Sequence, residues 1–198
     1  MQKSTDPRSA RSREALVEAM IRLLDEQELA AITITDLVGR AEITRPTFYQ
    51  HFRDLPALAR AAALIRLEAM FPPESFDGSG LTPAEEFAHT EATVCAILAQ
   101  LQHHAVFYRR VIHGAGAFEL YDDFVALLET RILSDSPFGA RIRGSLLLDP
   151  ADRVTILSGG LTWLIMRWLD TDFSGDNAVD PMARRIANAM IALSGGLP

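Results

Sequence analysis

Residues 44–53 read Thr-Arg-Pro-Thr-Phe-Tyr-Gln-His-Phe-Arg. Thr44, Arg45, Thr47, Tyr49, Gln50 and His51 are all hydrogen-bonding types, whereas Phe48 and Phe52 are large and apolar. Residues four apart share a helix face, so the two phenylalanines can anchor a short helix inward and leave the polar set outside. The chemistry on offer is recognition. A guanidinium matches the acceptor edge of guanine, an amide matches adenine, and hydroxyl or imidazole groups suit phosphate oxygens.

The flanking residues supply the elements that would position this set. Thr33 followed by Asp36 reads as an N-cap with an acidic third residue, starting a helix at Ile34 that runs to about Ala41. Thr44 caps the helix over 45–51, with Pro46 in the first turn where its missing N–H costs nothing. Asp54, followed by Pro56, caps a longer helix to about Met70. Two short helices joined by a turn of about three residues form a helix-turn-helix, whose second helix can enter a major groove. Before them, Leu16, Val17, Met20, Ile21 and Leu24 give one apolar face to a helix over 9–27.

Residues Ala41, Ile43, Thr44, Thr47, Phe48, Tyr49, His51 and Phe52 stand in the order found in TetR-type transcriptional regulators, which this segment resembles over about residues 12–60. The resemblance implies an N-terminal three-helix DNA-binding domain and a larger helical domain that dimerises and binds an effector. It implies that Thr44, Arg45, Thr47, Tyr49, Gln50 and His51 face DNA, with Ile43, Phe48 and Phe52 supporting the core. Tyr49 and His51 then read as phosphate contacts, Arg45 and Gln50 as base readers; Thr33, Pro46 and Arg53 complete the candidate set. Two positions depart from the family pattern. Glu42 stands where the turn usually has glycine, which predicts a strained or altered turn. Leu55 stands where lysine is frequent, leaving Arg53 and the helix N-terminus to serve that phosphate.

Charge agrees with this division. The 198 residues carry a net charge of −7, but residues 1–60 hold nine basic and nine acidic groups, and residues 1–13 hold four basic and one acidic. A nucleic-acid contact therefore belongs at the N-terminal end. The composition, 48% hydrophobic and 23% charged, excludes collagen-like, mucin-like and largely disordered chains. The single cysteine, Cys95, excludes an intrachain disulfide and a Cys-rich zinc module, and reads as a small buried hydrophobe. The polar N-terminus reads as carrying no signal peptide, and the apolar stretch Val154–Met166 is too short and too interrupted to span a bilayer, so a cytoplasmic protein without membrane contact is expected. His51, His89, His103, His104 and His113 lack metal-ligand spacing, and no nucleophile or phosphate-loop motif occurs. Neither metal, cofactor nor catalysis is expected.

Helical periodicity predicts an all-α chain of nine helices. The expected organisation is a basic arm over 1–8, a helix-turn-helix domain over 9–55 (motif 33–52), a connecting helix over 56–71 and an effector-binding and dimerisation domain over 72–198. Residues 72–80 read as a linker and 134–149 as a loop. Further helices are expected from Thr82-Pro83, over 104–113 and 117–133, from Asp149-Pro150 to Leu169, and over 181–193.

His103, Phe107, Tyr108, Val111, Phe118, Tyr121, Phe124, Trp163 and Met166 mix aromatics with polar tips and form the expected effector pocket. Gly159 and Gly160, inside a strongly apolar helix, predict close helix approach. With Trp163, Arg167, Ile186 and Met190 they form the expected homodimer interface. The expected partners are palindromic double-stranded DNA and an unidentified small-molecule effector. The alternative is a helical small-molecule-binding protein or enzyme in which the helix-turn-helix is a structural remnant.

Overall fold

Caps and apolar stripes lay out a chain of helices. The computed structural model describes residues 7–71, 80–115, 117–136, 138–144 and 149–194. Among these residues there are ten α-helices, two 3-10 turns and no strand. The helices are α1 (Pro7–Glu26), α2 (Ile34–Arg40), α3 (Arg45–His51), α4 (Leu55–Glu68), α5 (Pro83–His103), α6 (Ala105–Gly114), α7 (Ala117–Asp135), α8 (Phe138–Arg143), α9 (Pro150–Leu169) and α10 (Val179–Leu193). The chain folds as two compact units, one holding the residues up to Leu67 together with Val106–Leu120, the other holding Glu68–Ala105 and the residues from Tyr121 onward. The chain thus enters the first unit twice, which sequence order alone does not suggest.

In the first unit α1 packs on α2 and α3 through Leu16, Val17, Ala19, Met20, Leu23 and Leu24, all buried. Ile21, expected on that face, is half-buried. α4 buries Leu58, Ala59, Ala62, Ala63 and Leu67 on one face. Three arginines then close the unit. Arg110 donates from Nε to Glu28 Oε1 and from Nη1 to the Leu24 carbonyl, both at 2.8 Å, satisfying an acceptor in the last turn of α1. Arg60 Nη1 donates to the Ala115 carbonyl at 2.7 Å, just beyond α6. Arg66 grips the Asp25 carboxylate with two hydrogen bonds of 2.9 Å and stacks 4.3 Å above the Phe107 ring.

In the second unit α5 lies along α10, and α9 packs on α8 and α10. Thr82 and Glu85 form a reciprocal capping box at the start of α5, and the Asp149 carboxylate accepts from the Ala151 amide at 2.8 Å to start α9. On α5 Leu98 and Leu101 are buried, whereas Phe87, Val94 and Ile97 are half-buried. Cys95 is half-buried rather than enclosed; its thiol donates to Asp180 Oδ1 at 3.3 Å, and burial followed by that carboxylate pushes its pKa up.

The stretch 134–149, read as a loop, contains α8. Phe138 and Ile142, four apart, are fully buried, and a Cβ at Gly139 would collide with the Leu133 carbonyl oxygen. Arg141 makes a bidentate pair with Glu86 and lies over the Phe138 ring at 5.0 Å. Tertiary anchoring outweighs the Ser, Pro and Gly signals there. The expected basic arm is shortened, since Pro7 and Arg8 already belong to α1; residues 1–6 and 72–79, which include most of the arm and the linker, lie outside the described residues.

Glu42 occupies the helix-turn-helix turn with φ +54°, the left-handed conformation that glycine adopts without a Cβ penalty. A non-glycine residue thus carries the strain of this turn. Glu42→Gly should therefore raise stability by about 1 kcal/mol, seen as a rise in melting temperature of about 2–4 °C for a chain of this size. Glu42→Ala, which keeps the Cβ, should give no such gain; equal melting temperatures for the Gly and Ala variants would refute the strain.

Candidate nucleic-acid interface

The recognition geometry begins with what α3 buries. Phe48 is 0% and Phe52 8% exposed, while Arg45, Pro46, Tyr49 and Gln50 are exposed and Thr47 and His51 are half-buried. Ile43, expected in the core, is half-buried as well. The Tyr49 ring meets Phe48 edge-on at 5.1 Å, which holds the phenol on the outer face. His51 lies 6.5 Å from the Phe52 ring. At the helix start Thr44 Oγ1 accepts from the Thr47 amide at 3.4 Å and shares a 2.9 Å hydrogen bond with the Thr47 hydroxyl. Thr44, Arg45, Pro46, Thr47, Tyr49, Gln50 and His51 thus lie on one seven-residue helix and its cap.

Thr33 and Arg53 sit apart from that helix. Thr33 caps α2: its hydroxyl donates to Asp36 Oδ2 at 2.6 Å and accepts from the Asp36 amide at 3.1 Å. Arg53 follows α3, exposed, with its Nε 3.1 Å from Asp54 Oδ2. Asp54 Oδ1 in turn accepts from the Ala57 amide at 2.7 Å, so the predicted cap of α4 is formed.

Two residues outside the predicted set shape this surface. Thr35 Oγ1 accepts from Arg45 Nη2 at 2.7 Å, tying the exposed guanidinium of α3 back to α2. Arg13 of α1 lies 5.4 Å over the Phe52 ring. Sequence gives little sign of either pairing, because ten and thirty-nine residues separate the partners.

The second unit contains a cavity of about 140 Å³, almost wholly apolar, between α5, α7, α9 and α10. Val94, Ile97 and Leu98 of α5, Leu128 and Ile132 of α7, Leu161 and Ile165 of α9, and Ile186 and Met190 of α10 line it, with His89, Thr90, Thr93, Arg131 and Ser136 as polar members. Val94 and Ile97 are half-buried for this reason. None of the nine residues grouped from sequence as an effector pocket lines it. Phe107, Tyr108 and Val111 are core residues of the first unit, Phe124 and Met166 are buried in the second, and His103, Phe118 and Trp163 are exposed. Tyr121 approaches Gly159, where an added Cβ would meet its hydroxyl at 2.9 Å. Aromatic composition gathered core and surface residues alike, whereas the cavity opens mainly among branched aliphatic side chains.

The six residues expected at a dimer interface divide in the same way. Gly159 and Ile186 are buried within the unit, and Met190 and Ile186 line the cavity. Gly160, Trp163 and Arg167 are exposed on one stripe of α9, joined by Ile156 at 61% and Leu164 at 36% exposure. Among the described residues a Cβ at Gly160 would meet nothing within 4 Å. Among the described residues no group of three His, Cys, Asp or Glu is placed to hold a metal ion, and no helix is long and apolar enough to cross a membrane.

No protein-family model matches the chain. Over 52 residues, 26% of its length, the chain is 44% identical to an HTH-type transcriptional regulator, YxbF, of Bacillus subtilis (strain 168); the match spans 14% of that relative. Two solved structures are similar along nearly the whole chain. The TetR family repressor AlkX from Dietzia sp. strain DQ12-45-1b, implicated in biodegradation of n-alkanes, superposes with a TM-score of 0.58 at 16% identity, covering 91% of this chain and 94% of the other. A TetR transcriptional regulator from Streptococcus agalactiae 2603V does so with a TM-score of 0.55 at 20% identity, covering 93% and 96%. The fold is that of the TetR-type regulators.

Tyr108 tests its reassignment from pocket to core. Its hydroxyl is fully buried with no hydrogen-bond partner among the described residues, and burial pushes its pKa well up. An unsatisfied buried hydroxyl costs about 1–3 kcal/mol, so Tyr108→Phe should leave the melting temperature unchanged or raise it. A large drop would mean that the hydroxyl has a partner.

Proposed function

We propose that this chain, built on the fold of the TetR-type repressors, is a DNA-binding transcriptional regulator that acts as a homodimer and is released from its operator by a small-molecule effector. The observation that carries the reading is α3. Its Phe48 and Phe52 are sunk in the core, so Arg45, Tyr49 and Gln50 are presented together on a helix short enough to lie in a major groove. The local match to an HTH-type regulator supports it. The roles follow the chemistry: Arg45 and Gln50 read base edges, Tyr49, His51, Thr44, Thr47 and Arg53 hold phosphates, and Thr33 fixes the entry to α2.

The exposed apolar stripe of α9 supports the dimer reading. Ile156, Gly160, Trp163 and Leu164 form an exposed apolar face, and among the described residues a Cβ at Gly160 would meet nothing within 4 Å. For two α3 helices to enter successive major grooves of one duplex, a dimer has to hold them about 34–36 Å apart or a multiple of it. An effector in the cavity of the second unit would favour one spacing over another and so shift the dimer between operator-bound and free populations.

Selection of duplex DNA from a random library, followed by fluorescence anisotropy at several salt concentrations, tests the DNA reading. Arg45→Ala should cost about 1–3 kcal/mol in discrimination at one base pair per half-site, and His51→Ala should weaken all sequences alike. Unchanged discrimination in Arg45→Ala would reject the base-reading role; absence of salt-dependent duplex binding in the wild type would favour a helical carrier with a remnant helix-turn-helix. For assembly, light scattering should give a mass near twice 21.8 kDa. Gly160→Leu and Trp163→Glu, both at exposed positions, should reduce it without lowering helicity. A wild-type monomer at micromolar concentration would refute the dimer.

A further inference from the structure

The cavity of the second unit is lined by aliphatic side chains of α5, α7, α9 and α10 and by the rings of Phe71 and Phe138. Its five polar members are His89, Thr90, Thr93, Arg131 and Ser136, and four of them are already engaged with the chain itself. The Thr90 hydroxyl donates to the Glu86 carbonyl at 2.8 Å, and the Ser136 hydroxyl to the Ile132 carbonyl at 2.6 Å. Arg131 lies 5.3 Å over the Phe71 ring, has Glu68 Oε1 at 3.7 Å from its Nη2, and holds a further interaction besides. His89 has a partner too. The fifth, Thr93, is uncharged, and among the described residues no carboxylate lines the cavity. A charged ligand would therefore shed its hydration without gaining a counter-ion. An anion would have to displace the partners that Arg131 already has, and a cation would meet a guanidinium with no carboxylate to offset it. An uncharged hydrocarbon gives up no polar hydration on entry, and it gains by removing apolar area from water. Volume sets the size: this space measures about 140 Å³, and an apolar protein cavity of about 150 Å³ stays dry and takes up benzene.

We propose that this cavity binds a small uncharged hydrocarbon, about one six-membered ring in size, among Val94, Ile97, Leu128 and Ile165. Selection is by apolar fit and by exclusion of charge, not by a polar anchor. The site deepens the effector reading above and rests on it for its regulatory meaning, though not for binding itself. Its walls come from four helices, so an occupant fills the space that α5, α7, α9 and α10 leave between them and favours the packing that best encloses it.

Isothermal titration calorimetry of the full chain with toluene, benzoate and benzylammonium, three molecules of similar shape and different charge, tests this without DNA. Toluene should bind saturably and at least about tenfold more tightly than either ion, since each ion has to be desolvated without a free partner. Val94→Phe and Ile97→Phe, which each put a ring into the space, should weaken toluene at least about tenfold with helicity unchanged. Should both variants fail to fold, the wild-type ranking decides. Benzoate or benzylammonium binding as tightly as toluene, no saturable toluene binding, or undiminished toluene affinity in the folded variants would overturn the proposal. Toluene is then added to the wild-type complex with its selected duplex. Release of the duplex would join the site to regulation; retention would uphold the site and overturn its effector role. Toluene-selective binding in a chain that ignores DNA would uphold the site and reject the regulator reading, and DNA binding without toluene binding would do the reverse.

Discussion

A seven-residue helix does not persist in water by itself, because nucleation fixes several residues for very few hydrogen bonds. α3 exists because Phe48 and Phe52 are taken into the core of the first unit, where Leu16, Met20 and Leu37 are also fully buried. Everything the candidate interface can do depends on that burial. The two rings set the rotation of the helix about its axis, and that rotation decides that Arg45, Tyr49 and Gln50 face outward. Local hydrogen bonds refine the arrangement: Thr44 begins the helix, Asp54 begins the next, and Thr35 holds the Arg45 guanidinium.

Keeping this small unit stable takes more than one apolar stripe. Arg60, Arg66 and Arg110 each bind a distant acceptor, and two of the three bind backbone carbonyls at or just beyond helix ends. Such carbonyls lack intrahelical partners, and a cation near a helix C-terminus also meets the negative end of its dipole. These contacts bring Val106–Leu120 into the same unit as the N-terminal helices. The strained turn at Glu42 is tolerated inside this framework, since a cost of about 1 kcal/mol is small against the burial of two phenylalanines.

The second unit obeys a different constraint. Its helices are joined by buried aliphatic faces and by the Arg141–Glu86 pair, yet α5, α7, α9 and α10 do not close completely. Residual space in an interior normally packed to crystalline density marks a place where something other than the chain can be accommodated. On α9 the same helix contributes Leu161 and Ile165 to that space and leaves Ile156 and Trp163 exposed. One apolar helix thus serves both an interior and an outward face, which explains why it reads as too hydrophobic for either alone.

Local physics was legible in the sequence. Cap residues such as Thr33, Thr44, Thr82 and Asp149 act on amides two or three residues away, and the Phe48/Phe52 spacing depends on helix pitch alone, so these elements, the all-α class and the outward polar set of α3 could be read directly. Contacts between distant residues were decided by tertiary structure. The tether between Thr35 and Arg45, the assignment of Tyr108 to a core, the helix at Phe138–Arg143 and the turning of Gly159 and Ile186 inward depend on partners many residues away. A cavity is the extreme case. It is the space that packed side chains fail to fill, and no residue type or spacing announces it, because which aliphatic faces meet and how closely is settled only when the helices dock.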